Sequence, residues 1–88
     1  MKVRFERRFY RDLRRVRDQG ALKKVEALIE ETKVASSVHE IHGLVKLQGY
    51  QNYYRVRLGD WRVGVVVEGD AVIFVRFLHR KDIYRYFP

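Results

Sequence analysis

The residues best suited to chemistry are three arginines in a segment of alternating apolar and polar residues. Arg55 and Arg57 occupy alternate positions of one predicted strand, and Arg62 follows the next turn. Arginine stays protonated in proteins, and its planar guanidinium group donates several hydrogen bonds to phosphate oxygens. The three residues therefore predict a phosphate-binding site, provided that the fold brings them together.

Two turns decide whether the arginines meet. Gly59-Asp60 and Gly69-Asp70 each separate two apolar runs and are typical of two-residue hairpin turns. They predict a three-stranded antiparallel meander with strands Tyr53–Leu58, Trp61–Glu68 and Ala71–Leu78. Because such turns also determine the register, the facing residues can be predicted.

In the first hairpin, the predicted register pairs Arg57 with Arg62 and Arg55 with Gly64. The pairs predicted for the second hairpin are Glu68 with Ala71, Gly64 with Val75, Arg62 with Phe77 and Asp60 with His79.

Strict alternation divides the meander into two faces. One face is apolar and can cover the helices; its members are Tyr54, Val56, Leu58, Trp61, Val63, Val65, Val67, Val72, Phe74 and Leu78. Arg76 shares this face and must either extend its charged end to water or lie at the edge. The opposite face carries Tyr53, Arg55, Arg57, Arg62, Gly64 and, at its end, His79. Gly64 would leave a gap opposite Arg55 where a ligand backbone could approach closely.

Like charges directly opposite each other destabilise a sheet. A face that is only solvated would be expected to mix signs, yet the turn residue Asp60 is the only acid near the arginines. The pattern therefore favours phosphate binding over a solvated surface.

The remaining elements are predicted from periodicity. Lys2–Glu6 alternates and predicts a short edge strand. Apolar residues at helical spacing predict one helix from Arg8 to near Gly20 and a second from Ala21 to about Lys33. Residues 35–51 are predicted to form loops, and the C-terminal tail to turn away from the sheet. The predicted fold is α+β, with a helical hairpin packed on one face of the sheet.

Composition limits the classes of function. The 88 residues suffice for one domain, 1–88, and nineteen Lys and Arg against eleven Asp and Glu give a net charge of +8 that favours a polyanionic partner. The absence of cysteine excludes disulfides and thiolate metal sites. No apolar run is long enough to span a membrane, so we expect a soluble, cytoplasmic protein without a membrane partner.

Two further features give weaker signals. His39 and His42 lie three residues apart without a third ligand nearby, so metal binding is disfavoured. The first helix is rich in arginine, and its exposed side is either solvated or a surface for docking on ribosomal RNA. Its arginines are Arg7, Arg8, Arg11, Arg14, Arg15 and Arg17.

The ordered motifs resemble a known family. "KLQGYQNYYRVRLGDWRVGVVV" followed by "FLHRKDIY" is similar to the RelE/ParE toxin superfamily of bacterial toxin–antitoxin systems, and the similarity covers nearly the whole chain. It implies a compact α+β endoribonuclease that cleaves mRNA on the ribosome, without cofactor or metal. It also implies a toxin that is monomeric alone and forms a hetero-oligomer with a cognate antitoxin.

The resemblance assigns roles by position. The two basic strand positions become Arg55 and Arg57, the arginine after the next strand's aromatic becomes Arg62, and the C-terminal pair becomes Arg80 and Tyr84. Arg57, Arg62 and Arg80 would stabilise charge at the phosphate, and Tyr84 would stack on a base.

Three further residues complete the predicted site. Lys46 and Tyr53 are expected to contact RNA, and His79 occupies a position where some members have a catalytic histidine. Strict alternation puts Arg80 on the helix side, so the chain is expected to bend after Leu78.

One departure affects the mechanism. RelE has lysines at the two strand positions, one of them assigned a proton-accepting role, whereas Arg55 and Arg57 are poor bases. His79 then becomes the candidate for proton transfer. Two alternatives stay open: a ParE-like toxin that inhibits gyrase by binding, and an inactive module that binds nucleic acid or antitoxin.

Overall fold

The predicted meander forms the centre of a five-stranded mixed sheet. In the computed structural model, which describes residues 1–88, the strands are β1 (Lys2–Phe5), β2 (Leu44–Lys46), β3 (Tyr53–Leu58), β4 (Trp61–Glu68) and β5 (Ala71–His79). Their spatial order is β1-β5-β4-β3-β2. β1 pairs with β5 in parallel, and the other neighbours are antiparallel. The three strands of the meander are confirmed, and β2 is an additional strand within the segment predicted as loop.

Three helices accompany the sheet: α1 (Arg7–Arg15), α2 (Gln19–Val34) and α3 (Ile83–Tyr86), with a 3₁₀ turn at Val38–Glu40. The predicted boundary near Gly20 is wrong. α1 ends at Arg15, and α2 begins after Asp18, whose carboxylate accepts a hydrogen bond from Ala21 N at 3.0 Å. An N-cap of this kind satisfies a backbone donor of the first turn and so defines where the helix starts. None of the helices is both long enough and apolar enough to cross a bilayer.

The main hydrophobic core lies between α1, α2 and one face of the sheet, so the predicted packing of the helices on one side is confirmed. Its buried members include Phe9, Val25 and Leu28 from the helices. From the sheet come Val56, Val63, Val65, Val72, Phe74 and Phe77. The face of the sheet away from this core is called the outer face below.

The two hairpins differ in register. β3 and β4 pair as predicted along their whole length, with Arg57 opposite Arg62 and Arg55 opposite Gly64. β4 and β5 begin as predicted, with Glu68 opposite Ala71, and then meet a bulge. The bulge leaves Val75 without a partner, because Val65 pairs with Phe74 while Gly64 pairs with Arg76.

Three pairs predicted for the second hairpin are therefore wrong. Gly64 does not face Val75, Arg62 does not face Phe77, and Asp60 does not face His79; the observed pairs are Gly64–Arg76, Arg62–Leu78 and Trp61–His79. The physical reason is the extra residue, since one inserted position exchanges the two faces of every residue beyond it.

The exchange of faces is visible in the packing. Phe77 is 1% exposed and belongs to the main core, although it was predicted on the arginine side. Leu78, predicted on the helix side, instead packs on the outer face against Val75, Ile83 and Phe87. The tail does not turn away from the sheet: α3 and Phe87 fold back onto the outer face and form a second, small core there.

α1 protects the open edge of β5 beyond the end of β1. The Asp12 carboxylate accepts hydrogen bonds from Arg76 Nε at 2.7 Å, from Arg76 Nη2 at 3.1 Å and from Phe77 N at 3.0 Å. Arg76 thus has a buried partner at the open edge of β5 that sequence reasoning missed. Its predicted place on the helix side is wrong, because beyond the bulge it pairs with Gly64 on the outer face.

Candidate functional site

Arg62 is the centre of the candidate site. Only 8% of its surface is exposed. Its Nη1 donates hydrogen bonds to the carbonyl oxygens of Gly59 at 2.7 Å and Trp61 at 2.9 Å. The β3–β4 turn therefore holds one side of the guanidinium group in place.

Three further arginines surround Arg62 and, with it, form the arginine cluster: Arg55, Arg57, Arg62 and Arg80. Burial lowers the pKa of Arg62, and repulsion from Arg57, Arg55 and Arg80 lowers it further. No carboxylate lies within ion-pair distance of Arg55, Arg57 or Arg62. These three arginines consequently carry positive charge that the protein does not neutralise, and such a site attracts an anion.

Arg80 reaches the cluster because of the bulge. The residues after Val75 are shifted by one position, which brings Arg80 to the same side of the sheet as Arg62 and Leu78. β5 continues to His79, so the bend expected after Leu78 comes one residue later, in the turn at residues 80–82. Arg80 N donates to Asp60 O at 2.8 Å, while the side chains of the two residues are exposed and 3.9 Å apart.

Tyr84 also joins the cluster. Its Oη accepts a hydrogen bond from Arg55 Nε at 2.9 Å, and 66% of its surface is exposed. Tyr53 lies on the outer face as predicted, with its ring centroid 5.6 Å from that of Phe87. Arg55, Arg57, Arg62, Arg80 and Tyr84 are thus brought together by three elements, β3, β4 and the segment from the end of β5 to α3.

Gly64 does not provide the predicted gap for a ligand. The ring of Phe87 occupies the space where a side chain of residue 64 would stand. The protein itself therefore fills the space that the missing side chain leaves. A ligand has to reach the arginine cluster without entering the space that Phe87 occupies.

His79 lies on the opposite side of the sheet from its predicted position. It pairs with Trp61, and the two rings contact edge to face with centroids 5.5 Å apart. Its Nδ1 accepts a hydrogen bond from Lys81 N at 3.2 Å. The expectation that His79 ends the arginine face is wrong, because the bulge assigns that place to Arg80.

Lys46 is also not brought into the cluster. It pairs with Tyr54, whose side chain packs against the main core, whereas the neighbouring Val45 pairs with Arg55. By alternation along β2, Val45 lies beside the arginine cluster and Lys46 points to the other side.

The weaker candidates lie elsewhere. His42 Nδ1 is 3.0 Å from Glu31 Oε2, and His42 N donates to the same oxygen at 2.9 Å. Nowhere do three His, Cys, Asp or Glu side chains form a group that could hold a metal ion. The arginines of α1 are exposed, and Arg8 pairs with Glu6 at 2.8 Å.

Sequence reasoning missed Asp12 and Phe87, although each left a signal. Asp12 is an acid on the buried stripe of α1, and Arg76 is a base in a predicted apolar face. Because a buried charge is costly unless it is paired, each residue indicated a partner of opposite charge. Phe87 is a large apolar residue in a tail predicted to turn away from the sheet, and Gly64 is a strand residue without a side chain. Their pairing depends on the path of the tail, which the sequence pattern does not reveal.

Comparisons with known proteins agree with the fold. The family described as "ParE toxin of type II toxin-antitoxin system, parDE" matches residues 3–84. Toxin RelE3 of Methanocaldococcus jannaschii is 44% identical over 90 residues, covering all of both chains. Putative toxin RelE1 of the same organism is 33% identical over 81 residues, covering 91% of this chain and 89% of the relative.

Solved structures lead to the same fold. The toxin chain in a RelB–RelE antitoxin–toxin complex from Methanococcus jannaschii matches with a TM-score of 0.82 at 41% identity, over 97% of this chain and 99% of that chain. A chain of the archaeal RelE–RelB complex from Pyrococcus horikoshii matches with a TM-score of 0.67 at 20% identity, over 90% and 93% of the two chains. The second likeness concerns the fold alone.

Proposed function

The chain belongs to the RelE/ParE superfamily of toxins of type II toxin–antitoxin systems, and on that premise we propose that it is a ribosome-dependent endoribonuclease that cleaves mRNA. The observation that carries the proposal is the arginine cluster, in which Arg55, Arg57 and Arg62 have no carboxylate partner and Arg80 has only an exposed one, Asp60, at 3.9 Å. A phosphodiester group is the ligand whose charge and geometry suit several converging guanidinium groups.

The proposed reaction is an attack of a ribose 2′-oxygen on the adjacent phosphorus. The 2′-hydroxyl gives its proton to water as the 2′-O–P bond forms, and the leaving 5′-oxygen takes a proton from water as the P–O5′ bond breaks, which leaves a 2′,3′-cyclic phosphate. The five-coordinate phosphorane through which the reaction passes carries additional negative charge, and Arg57, Arg62 and Arg80 stabilise that charge. Guanidinium groups supply the positive charge, so the proposed mechanism needs no metal ion.

Tyr84 and Tyr53 are proposed to bind the RNA bases and backbone next to the scissile phosphate. The hydroxyl of Tyr84 is held by Arg55, while its exposed ring offers a surface on which a base can stack. His79 has no part in the proposed proton transfer, because its ring lies beside Trp61 on the other face of the sheet.

A cognate antitoxin is the proposed protein partner. Two of the similar structures are described as complexes of RelE with RelB. We expect this toxin to be monomeric alone and to form a hetero-oligomer in which acidic antitoxin residues neutralise the arginine cluster.

A second candidate is inhibition of gyrase by binding, since the matching family is described by the ParE toxin. The deciding experiment adds the purified toxin to ribosomes programmed with a defined mRNA and, separately, to a gyrase supercoiling reaction. We expect mRNA cleavage that requires the ribosome, with supercoiling unaffected. Inhibition of supercoiling without cleavage would overturn the ribonuclease proposal, and neither effect would favour an inactive binding module.

A further inference from the structure

We propose that Phe87 and Gly64 form a packing lock that positions Tyr84, and with it Arg55, for catalysis. The catalytic consequence rests on the proposed ribonuclease function, whereas the lock itself is a statement about structure. Phe87 touches no substrate in this proposal and is a positioning residue.

The first observation is how closely the ring approaches the strand. A Cβ atom on residue 64 would lie 2.7 Å from Phe87 Cδ2 and 2.8 Å from both Cδ1 and Cε2. Real Cβ atoms do not come this close to other heavy atoms, so any side chain at residue 64 must displace the ring.

The second observation excludes the usual reason for a glycine. Gly64 is not among the glycines with positive φ, so its backbone conformation is open to any residue. Glycine in a strand interior weakens the strand, since it offers no side chain to pack. The space that Phe87 occupies therefore accounts for glycine at this position.

The third observation is that α3 depends on this anchor. A helix of one turn is not stable alone, because nucleation costs more than its few hydrogen bonds return. Ile83 and Phe87 are buried at 1% and 2% exposure beside Val75, and Phe87 N donates to Ile83 O at 2.8 Å. The two buried side chains at the ends of α3 thus attach it to the outer face.

Tyr84 lies between these two anchors and is otherwise free. Most of its surface is exposed, and its hydroxyl has one hydrogen bond, from Arg55 Nε. If Phe87 left the outer face, α3 would lose an anchor and Tyr84 could move away from Arg55. The main core would stay intact, because Phe87 and Tyr84 are not part of it.

The test is a double-mutant cycle with Gly64→Ala and Phe87→Ala. Each single variant should lower kcat for mRNA cleavage by about tenfold or more, with a small change in KM. The RNA can still bind the arginines, but Tyr84 and Arg55 are no longer positioned correctly next to the scissile phosphate. The double variant should be no worse than Phe87→Ala alone, since the methyl group then meets no ring. Gly20→Ala is the matched control, because its Cβ would meet only Asp18 Oδ1, at 3.3 Å, and no ring, and it should leave cleavage unchanged.

Two measurements on the protein without RNA test the packing lock directly. They distinguish local release of Phe87 from unfolding of the whole protein, and they do not depend on the proposed function. Hydrogen exchange at Phe87 N and the NMR resonance of Arg55 Nε–H should change in Gly64→Ala, while the thermal transition of the main core remains cooperative. A variant lacking Phe87 and Pro88 should reproduce the same changes. These readouts need no RNA, so they judge the lock even if the wild type cleaves nothing.

Three outcomes would overturn the lock: wild-type exchange at Phe87 and an unchanged Arg55 resonance in Gly64→Ala, losses in the double variant that multiply as independent effects, or full cleavage activity in the truncated chain. A wild type that does not cleave mRNA would instead count against the proposed function.

Discussion

The two hairpins of the meander share β4, but side chains alternate regularly between the two faces of the sheet in only one of them. β3 and β4 pair without interruption, so each arginine predicted on their outer face is found there. β4 and β5 pair as predicted only as far as Val65, and beyond the bulge each residue faces the opposite way. Alternation is therefore reliable along an unbroken ladder, and one unpaired residue is enough to reverse it.

The bulge has functional consequences because it lies next to the candidate site. It exchanges His79 for Arg80 at the arginine cluster and Phe77 for Leu78 on the outer face. Bulges are frequent beside active sites, where they redirect a side chain. Here a group that can transfer protons is replaced by one that stays charged, so in the proposed ribonuclease we expect electrostatic stabilisation from this position and not acid–base catalysis.

The largest expected effect is the loss of mRNA cleavage when one arginine of the cluster is removed. It tests whether both hairpins contribute arginines to the site. Arg62→Ala in the first hairpin and Arg80→Ala beyond the second should each lower kcat for mRNA cleavage by about 10²–10³-fold, as is usual when one donor to a developing charge is removed. Arg80→Lys is the control, since it keeps the charge but loses the planar fork. A fully active Arg80→Ala protein would mean that the second hairpin does not contribute to the site.

The next effect concerns the edge of β5 beside the bulge. Asp12→Ala leaves Arg76 and Phe77 N without their acceptor, and breaking a buried pair should lower the free energy of unfolding by about 3 kcal/mol. Asp12→Asn should cost less, because the amide oxygen can still accept a hydrogen bond from Phe77 N. Urea denaturation measures both, and a loss below about 1 kcal/mol in Asp12→Ala, the net value of an ordinary hydrogen bond, would show that the edge is held by other contacts.

A smaller effect is expected at His79. Because its ring lies beside Trp61, His79→Ala should change kcat by no more than about threefold, whereas loss of a general acid or base costs about 10²–10⁴-fold. The pH–rate profiles of the variant and the wild type should coincide. A variant that loses a titration near neutral pH would show that the imidazole reaches the substrate despite the register.

The smallest effect lies outside the meander, where the Glu31 carboxylate of α2 accepts a hydrogen bond from His42 N, two residues before β2. The backbone hydrogen bond from His42 N lowers the pKa of Glu31 below its ordinary 4.5. A lowered pKa means that the ionised carboxylate stabilises the folded state above pH 4.5, and that this stability is lost as the pH falls through the folded value. The stability difference between wild type and Glu31→Gln should therefore be present at pH 7 and decline in acid, and a difference that grows in acid would contradict the assignment.

How much could be predicted depended on the range of the interactions. Glycine turns and alternation predicted the meander and the convergence of Arg55, Arg57 and Arg62, because each depends on neighbours in sequence or on one hairpin. β2 was missed because an edge strand of three residues between glycines has too short a pattern to detect. The places of His79 and Arg80 were exchanged because no local signal marked the bulge.

By itself, the sequence determined the α+β class, the strands of the meander and a surplus of arginine beside the first hairpin, since periodicity, turn residues and charge are local properties. The tertiary structure alone decided that Arg80 completes the cluster, that Asp12 pairs with Arg76 and that Phe87 occupies the space above Gly64. Those arrangements depend on contacts between segments far apart in the chain, and their energies come from packing and burial that no short pattern encodes.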